Sequence, residues 1–291
     1  MAEQEKIAVV TGGNKGIGLA IVRNLALEYP KSSLQPGRLV IYLTARSNER
    51  GQAALKELQS DSQLSRVKVL EKDGGNVKIT FHALDISQTK SIQDFRDHLK
   101  QAHTDGIDIV INNAGIALEG FDTDVVKHTL ETNYYGTLEA TQDLLPLLRP
   151  DGRLVNVSSA SGKLNKYSSD VREAFLKAAE TDVPAVTSLM ESFKSAVAEG
   201  REKEAGFPSA AYAVSKAGVT AMTKAIAKKE ASNGRNVLIN ACCPGYVNTD
   251  MTRGGGTNTP DEGATTPVLL ALGDIKGVTG GFWQSEKQVE W

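Results

Sequence analysis

The chain has 291 residues, a formal net charge of −2 and 40% hydrophobic residues, which is enough apolar material for a full α/β core. A charge so near zero gives no general basic field, so neither nucleic acid nor an anionic membrane surface is expected as a partner. No apolar run is long enough to span a membrane, and the polar segment 1–6 is unlike a secretory leader. These properties predict a soluble, cytoplasmic protein.

Short apolar segments alternate with amphipathic ones along the chain. Strands are predicted at 7–10, 39–44, 79–84, 107–111, 153–157, 237–242 and 281–283, and helices at 17–28, 49–60, 92–102, 124–148, 210–232 and 260–272. Alternation of this kind is typical of a mostly parallel sheet with helices on both faces. We therefore expect a single α/β domain over 1–291, a doubly wound (Rossmann) sheet of about seven strands.

Two segments depart from this alternation. Residues 67–85 are predicted to form a hairpin that turns at 74–76 and leads into the third strand. A longer insertion, at about 163–209, precedes the predicted helix 210–232. Apolar residues recur there at helical spacing; they are Val186, Leu189, Met190, Phe193, Ala196 and Val197. We expect the insertion to be helical and to pack one face on the body of the domain.

The segment TGGNKGIG (11–18) links the first predicted strand to the first predicted helix. Its glycines Gly12, Gly16 and Gly18 allow a tight turn in which backbone N–H groups approach a pyrophosphate at the helix N-terminus. An ordinary glycine-rich turn is the alternative, but the strand–loop–helix setting favours a dinucleotide site.

The second predicted strand ends without the acidic residue that typically binds the ribose 2′-hydroxyl of NAD. Arg46 lies there instead, and Lys15 lies in the glycine loop. Both cations suit a 2′-phosphate, which an arginine can bind through two hydrogen bonds. The predicted cofactor is therefore NADP(H), although two solvated basic residues are the alternative interpretation.

Further motifs fall where a parallel sheet would gather them on one edge. Residues 112–115 follow the fourth predicted strand, Ser159 ends the fifth, and Tyr212 and Lys216 share one face of a helix. An ammonium nearby would lower the pKa of the Tyr212 phenol, which could then exchange a proton with a substrate oxygen held by Ser159. Each motif alone has a common structural explanation, and their joint occurrence favours catalysis beside a nicotinamide.

The motifs TGGNKGIG, NNAG (112–115), VNVSS (155–159), YAVSK (212–216) and PGYVNTD (244–250) occur in the order found in the short-chain dehydrogenase/reductase family, which the chain resembles over nearly its whole length. The resemblance implies that Ser159, Tyr212 and Lys216 are catalytic. It also implies a fourth member, Asn133, which would support a water relay that returns protons to Tyr212 through Lys216.

The same resemblance extends the cofactor site. It implies Asp85 near the adenine, Asn113 near the adenine ribose, and Val247 and Thr249 near the nicotinamide amide. The full predicted cofactor-binding set is Gly12, Asn14, Lys15, Gly16, Ile17, Gly18, Arg46, Asp85, Asn113, Ala114, Gly115, Tyr212, Lys216, Pro244, Gly245, Val247 and Thr249.

Within the family, the chain is similar to monomeric carbonyl reductases, in segments such as NACCPGYVNTDM and GFWQSEKQVEW and in the insertion. The likeness implies NADPH-dependent reduction of ketones and aldehydes, including quinones. A hydroxysteroid or other secondary-alcohol dehydrogenase is an alternative, and a non-catalytic NADP(H)-binding sensor is a less favoured one. Because the insertion precedes the helix whose outer face commonly forms the family's oligomer interface, we expect a monomer.

The substrate pocket is less clearly encoded. Ile116, Ala160 and Tyr246 are candidate lining residues, and the glycine-containing loop 251–259 is predicted either to close over substrate or to be a plain surface loop. The physiological substrate and the stereochemistry are not encoded in any motif.

The remaining chemically active side chains suggest no second site. Cys242 and Cys243 are adjacent on a strand, so they are poorly placed for a disulfide, and buried inert thiols are the favoured interpretation. His82, His103 and His128 fall on separate predicted elements without metal-ligand spacing, so no metal site is predicted.

Overall fold

The computed structural model describes residues 5–34 and 37–291. Their strands form one sheet in the order β3-β2-β1-β4-β5-β6-β7-β8. The strands are β1 Lys6–Val10, β2 Leu39–Ala45, β3 Val77–Ala83, β4 Ile107–Asn112, β5 Leu148–Val157, β6 Leu238–Cys243, β7 Phe282–Gln284 and β8 Lys287–Val289. All neighbouring pairs are parallel except β7 with β8. The predicted doubly wound α/β fold is confirmed.

Helices cover both faces of this sheet. Within the described ranges they are α1 Gly16–Glu28, α2 Asn48–Gln59, α3 Ser62–Val67, α4 Thr89–Ala102, α5 Thr123–Leu130, α6 Thr137–Leu144, α7 Ser169–Thr181, α8 Val183–Ala198, α9 Ala211–Ser232 and α10 Pro260–Leu272. One face packs on α1, α2, α3 and α10, and the other on α4, α5, α6 and α9. None of these helices is long and apolar enough to cross a membrane.

The strand order reverses at β1, which lies between β2 and β4. The connections leaving β1 and β4 run to opposite faces of the sheet, and a crevice opens between them at the carboxyl ends of the strands. Ligands of open α/β sheets bind at such a switch point. The glycine loop after β1 and the NNAG motif after β4 therefore share one edge.

The predicted hairpin at 67–85 is wrong. The chain leaves α3 through a 3₁₀ turn, Glu71–Asp73, and Gly74 then turns with a φ of +91°. Val77 forms a parallel bridge with Leu70 and continues into β3. The glycines thus redirect the chain into the sheet instead of folding two antiparallel strands together.

The long helix predicted at 124–148 is interrupted. A π-helical turn, Glu131–Gly136, separates α5 from α6, and β5 already begins at Leu148. Gly136 explains part of the interruption, because a Cβ there would lie 2.3 Å from the Ile86 carbonyl oxygen. π-turns of this kind often occur at functional sites. The eighth strand, β8, was not predicted, since its exposed polar residues give no apolar signal.

The insertion is helical, as predicted. Its helices α7 and α8 pack on α9, and α8 buries Val186, Met190, Phe193, Ala196 and Val197. As a result α9 is buried on nearly its whole circumference, which is typical of an interior helix rather than a surface one.

A buried polar network fixes α9 to the sheet. Asn112 on β4 donates to Thr141 on α6 (3.0 Å) and to the Asn156 side-chain oxygen on β5 (2.9 Å). Asn156 in turn donates to Thr223 on α9 at 2.9 Å. These hydrogen bonds join β4, α6, β5 and α9, so the helix that carries Tyr212 and Lys216 has a defined position against β5.

Candidate active site

Tyr212 and Lys216 lie on the first turns of α9, facing the carboxyl end of β5. The Lys216 ammonium donates to the Val157 carbonyl at 2.8 Å and lies 5.7 Å from the centre of the Tyr212 ring. Lys216 is buried, and because burial disfavours the charged form, its pKa is lowered to about 8. The helical pair predicted from the sequence thus shares one face.

The Ser159 hydroxyl lies beside the Tyr212 hydroxyl. It is near enough to lower the pKa of Tyr212, and Ser159 Oγ accepts the Ser161 N–H at 3.1 Å. Because Ser159 accepts the Ser161 N–H through a lone pair, the proton of the Ser159 hydroxyl is free to point at Tyr212. Both oxygens that the sequence assigned to substrate binding therefore lie together.

The pKa of Tyr212 differs from expectation. Burial raises it to about 12, and the neighbouring Ser159 hydroxyl acts in the opposite direction. The Lys216 ammonium, which lies over the ring and is held by the Val157 carbonyl, does not offset this effect of burial. The expectation that lysine gives a low-pKa phenol is therefore wrong for this arrangement, and Tyr212 carries its proton at neutral pH.

The two consecutive serines have different roles. Ser158 is buried, with its hydroxyl in contact with the Lys216 carbonyl at 2.9 Å and Thr220 Oγ1 at 2.7 Å. Neighbouring side chains at a strand end point to opposite sides, so Ser158 attaches β5 to α9 and Ser159 faces the crevice.

Asn133 lies in the π-helical turn, where its side chain makes three hydrogen bonds. Its amide oxygen accepts the Ile116 N–H at 2.8 Å, and its nitrogen donates to the Ile116 carbonyl at 2.9 Å and to Ser215 Oγ at 3.1 Å. A Cβ at Gly115 would lie 3.1 Å from Asn133 Oδ1 and 3.6 Å from Lys216 Nζ. The glycine thus leaves space between the amide and the ammonium, where a water could sit.

The glycine loop is shaped for close backbone approach. Gly12 and Gly16 have φ values of +65° and +53°, a region that favours glycine. A Cβ at Gly12 would lie 2.9 Å from Ala114 Cα, and one at Gly18 would lie 2.1 Å from the Gly12 oxygen. Side chains at these positions would collide with neighbouring backbone, so the glycines allow the tight turn in which backbone N–H groups can approach a pyrophosphate.

Thr11 joins the glycine loop to the NNAG motif. Its hydroxyl accepts the N–H groups of Asn113 and Ala114, both at 3.0 Å, and the Asn113 amide donates to the Thr11 carbonyl at 3.0 Å. Sequence reasoning missed Thr11, although a hydroxyl at the end of the first strand is a usable signal.

The two predicted phosphate-binding cations lie on the open side of the crevice. Arg46 is exposed just beyond β2, and Lys15 Nζ pairs with Asp250 at 2.7 Å. Asp85 follows β3 and accepts from the Ser87 N–H and hydroxyl at 3.0 and 2.7 Å. Asn14 and Ile17 are half-buried beside the glycines. The acidic partner of Lys15 was not predicted.

The segment after β6 closes the crevice from the other side. Pro244 and Gly245 turn the chain, with a φ of +88° at Gly245, and a Cβ at Gly16 would lie 3.2 Å from the Thr249 methyl. Val247 is buried and bridges to Asn258. This segment therefore packs directly on the glycine loop.

An ion pair joins two of the segments that flank the candidate substrate pocket. Arg253, in the predicted loop 251–259, forms an ion pair with Glu119, which follows the NNAG motif. Tyr246 is exposed, while Ile116 and Ala160 are half-buried. The loop is thus held at two points: Asn258 bridges to Val247, and Arg253 pairs with Glu119.

The cysteines and histidines lie as follows. Cys242 and Cys243 are free and buried, and burial raises the pKa of the Cys242 thiol. His82 lies on β3 and His103 follows α4, on separate elements as predicted. A fourth histidine, His98 on α4, has its ring centre 4.6 Å from that of His82, and the rings of both His98 and His103 contact that of Tyr42. No group of three or more side chains in the described ranges is arranged to hold a metal ion.

Comparison with known proteins places this geometry in a family. Residues 6–171 and 196–259 match the short chain dehydrogenase model. The chain belongs to the short-chain dehydrogenase family. The unmatched stretch between these ranges falls in α7 and α8, so the insertion departs from the general family pattern.

Individual relatives match over nearly the whole chain. The chain is 41% identical to carbonyl reductase (NADPH) 1 of Pongo abelii, over 100% of this chain and 99% of that protein. Salutaridine reductase from Papaver somniferum has a similar structure, with a TM-score of 0.80 and 27% identity over 96% of this chain and 99% of that one. Menthone neomenthol reductase from Mentha piperita gives a TM-score of 0.76 at 27% identity, over 98% and 100%.

Proposed function

We propose that the chain is an NADPH-dependent carbonyl reductase that converts ketones and aldehydes to alcohols. The observation that carries the proposal is the pair of neighbouring hydroxyls of Ser159 and Tyr212, beside buried Lys216, at the same sheet edge as the glycine loop. The full-length similarity to carbonyl reductase (NADPH) 1 supports the same conclusion. An intact set of these side chains argues against a non-catalytic sensor.

The two hydroxyls are suited to a carbonyl oxygen. Ser159 and Tyr212 would both donate hydrogen bonds to it, which orients the carbonyl and favours negative charge on its oxygen. Bound NADPH supplies the hydride to the carbonyl carbon. Tyr212 then gives its proton to the oxygen, and its raised pKa means that this proton is present at neutral pH.

Lys216 and Asn133 would help to return a proton to Tyr212 after the transfer. The ammonium of Lys216 lies over the Tyr212 ring and would favour the phenolate left behind. A water in the space beside Gly115 would lie between Asn133 Oδ1 and Lys216 Nζ. These four residues are proposed as the catalytic set, in the roles that the family resemblance implies.

The residues around the crevice fit a dinucleotide phosphate. The glycine loop would hold the pyrophosphate, and Arg46 with Lys15 the 2′-phosphate. Asp85 and Asn113 would lie on the adenosine side, and the turn from Pro244 to Thr249 on the nicotinamide side. The tight packing that glycine permits at positions 12 and 18 supports this assignment.

We also propose a monomeric, cytoplasmic protein. The support for a monomer is steric, because α7 and α8 cover the face of α9 that the family commonly uses for oligomer contacts. The two free cysteines favour a reducing compartment such as the cytoplasm.

Replacing Tyr212 with Phe tests the function directly. Removal of the proton donor should lower the NADPH-dependent rate on a ketone panel by about 10²–10⁴-fold, while the NADPH dissociation constant, measured by fluorescence titration, stays within about threefold. Tyr42→Phe is the control, because it removes a hydroxyl bonded to His103 elsewhere in the fold. A Tyr212→Phe enzyme that keeps more than a tenth of the wild-type rate contradicts the proposal.

A further inference from the structure

Trp291 reaches the turn that follows Ser159. It lies two residues beyond β8, and its indole Nε1 donates to the Gly162 carbonyl at 2.9 Å. Its ring meets Phe175 of α7 edge-on, with ring centres 6.2 Å apart. One side chain thus contacts both the insertion and the loop that begins at Ser159.

The turn that Trp291 contacts rests directly on the catalytic helix. It is the 3₁₀ turn Ala160–Gly162, capped by the Ser159 hydroxyl itself. A Cβ at Gly162 would lie 2.6 Å from both the Lys216 carbonyl carbon and the Ala217 nitrogen. Because no side chain separates the turn from α9, any movement of the turn displaces Ser159 relative to Tyr212.

The hairpin of β7 and β8 fixes the position of Trp291. Its two turn residues, Ser285 and Glu286, have φ values of 49° and 61°, as a tight type I′ hairpin requires. The Glu286 N–H donates to Thr266 Oγ1 on α10 at 3.0 Å. The hairpin is therefore attached to α10 at its turn, and Trp291 leaves it from a defined place.

We propose that Trp291 is a positioning residue, which clamps the turn Ala160–Gly162 onto α9 and so keeps the Ser159 hydroxyl in contact with that of Tyr212. The clamp has two parts, the indole hydrogen bond to Gly162 and the ring packing against Phe175. The inference rests on the proposed function, since it assigns Trp291 to the same reaction.

The test compares Trp291→Phe with Trp283→Phe. Trp291→Phe removes the donor to Gly162 and keeps an aromatic ring against Phe175. Trp283→Phe is matched, because it removes an indole donor from the same hairpin, but one bonded to Asn240 at 3.3 Å, away from Ser159. Hydrogen exchange of the peptide that contains residues 159–163 should be faster in Trp291→Phe and unchanged in Trp283→Phe.

The kinetic readouts separate positioning from simple stability. In Trp291→Phe we expect kcat to fall about tenfold with KM and the NADPH dissociation constant within about twofold, since misplaced catalytic groups affect the reaction step. The rise of alcohol oxidation with pH should also move to higher pH, because the Ser159 hydroxyl opposes the high pKa of Tyr212. Trp283→Phe should leave both unchanged.

Each result decides the inference. Unchanged exchange at 159–163, or an unchanged kcat and pH profile in Trp291→Phe, overturns it, as does an equal loss in both variants. Failure of the proposed function looks different: the wild-type protein then reduces no carbonyl with NADPH, or Tyr212→Phe stays active. In that case, faster exchange in Trp291→Phe would still show that Trp291 holds the turn, but the contact would have no role in carbonyl reduction.

Discussion

Arg46 projects from the end of β2 and is exposed, while Lys15 is paired with Asp250 across the entrance of the crevice. A 2′-phosphate could therefore bind Arg46 without breaking an ion pair, but would compete with a carboxylate for Lys15. Arg46 should thus contribute most of the preference for the phosphorylated cofactor.

Arg46→Asp tests this preference. Loss of a bidentate arginine–phosphate ion pair, worth about 2 kcal/mol, should weaken NADPH binding about 30-fold. NADH should bind equally well or better. Fluorescence titration with both cofactors measures the effect. Arg50→Asp, an equal charge change at an exposed site on α2, should have little effect. An unchanged NADPH-to-NADH ratio in Arg46→Asp would show that Arg46 does not bind the phosphate.

At single positions, the sequence was informative about residue type and less so about environment. The pairing of Tyr212 with Lys216 and the place of Ser159 followed from helical spacing and strand ends. The pKa of Tyr212 did not, because burial depends on tertiary packing, which spacing within α9 cannot reveal. Trp291 was missed as a contact of the Ser159 turn for the same reason, since long-range contacts leave no local pattern.

The π-helical turn between α5 and α6 is the element that holds Asn133. Three hydrogen bonds connect its side chain to Ile116 and Ser215, so the turn, the loop after β4 and α9 are joined at one residue. The helix predicted at 124–148 is interrupted at this turn. The apolar pattern is continuous through 124–148, so it gives no signal for the interruption.

Asn133→Ala should therefore destabilise the element as well as impair the reaction. Leaving the Ile116 N–H and carbonyl without partners should cost about 2–3 kcal/mol in the free energy of unfolding, measured by urea denaturation. The exposed Asn48, at the start of α2, provides a control whose replacement by Ala should change stability by less than about 0.5 kcal/mol. Equal stability of both variants would contradict the bridging role.

Strongly periodic elements were predicted well and irregular ones poorly. The parallel strands are indicated by runs of apolar residues, and the main helices by apolar residues at helical spacing. The false hairpin at 67–85 arose because Gly74 permits either a hairpin or a change of direction, and only the neighbouring strand β2 selects between them. Strand β8 has few apolar residues, so it is defined by its pairing with β7 and not by composition.

For the whole molecule, burying Lys216 has a cost that depends on pH. Its pKa of about 8 in the folded chain is below the ordinary value of 10.5, so between these two pH values the unfolded chain binds the extra proton. The wild-type free energy of unfolding should therefore rise by about 3 kcal/mol from this group between pH 8 and 10.5.

Lys216→Met should remove this dependence. At pH 7 the variant escapes the cost of a buried charge, and should be at least as stable as wild type although inactive. Urea denaturation at pH 7, 8.5 and 10 should show its advantage shrinking as pH rises. Lys229→Met, at an exposed position on α9, should show no such trend, and a parallel pH dependence of Lys216→Met and wild type would contradict the assignment.

The insertion should also decide the assembly state. Because α7 and α8 cover α9, sedimentation equilibrium should give the mass of one chain at micromolar concentrations, with and without NADPH. The mass of two or four chains would show that another surface forms the contact.

The neighbourhood of β1 and β4 has a consequence for the time course of folding. The Ile7 N–H bonds the Asp108 carboxylate, a partner 101 positions away, and the crevice opens between these same two strands. Contacts so distant in sequence close late, since a large loop must first lose its freedom. The local contacts of the helices are therefore expected to form before the paired strands whose ends would receive the nucleotide.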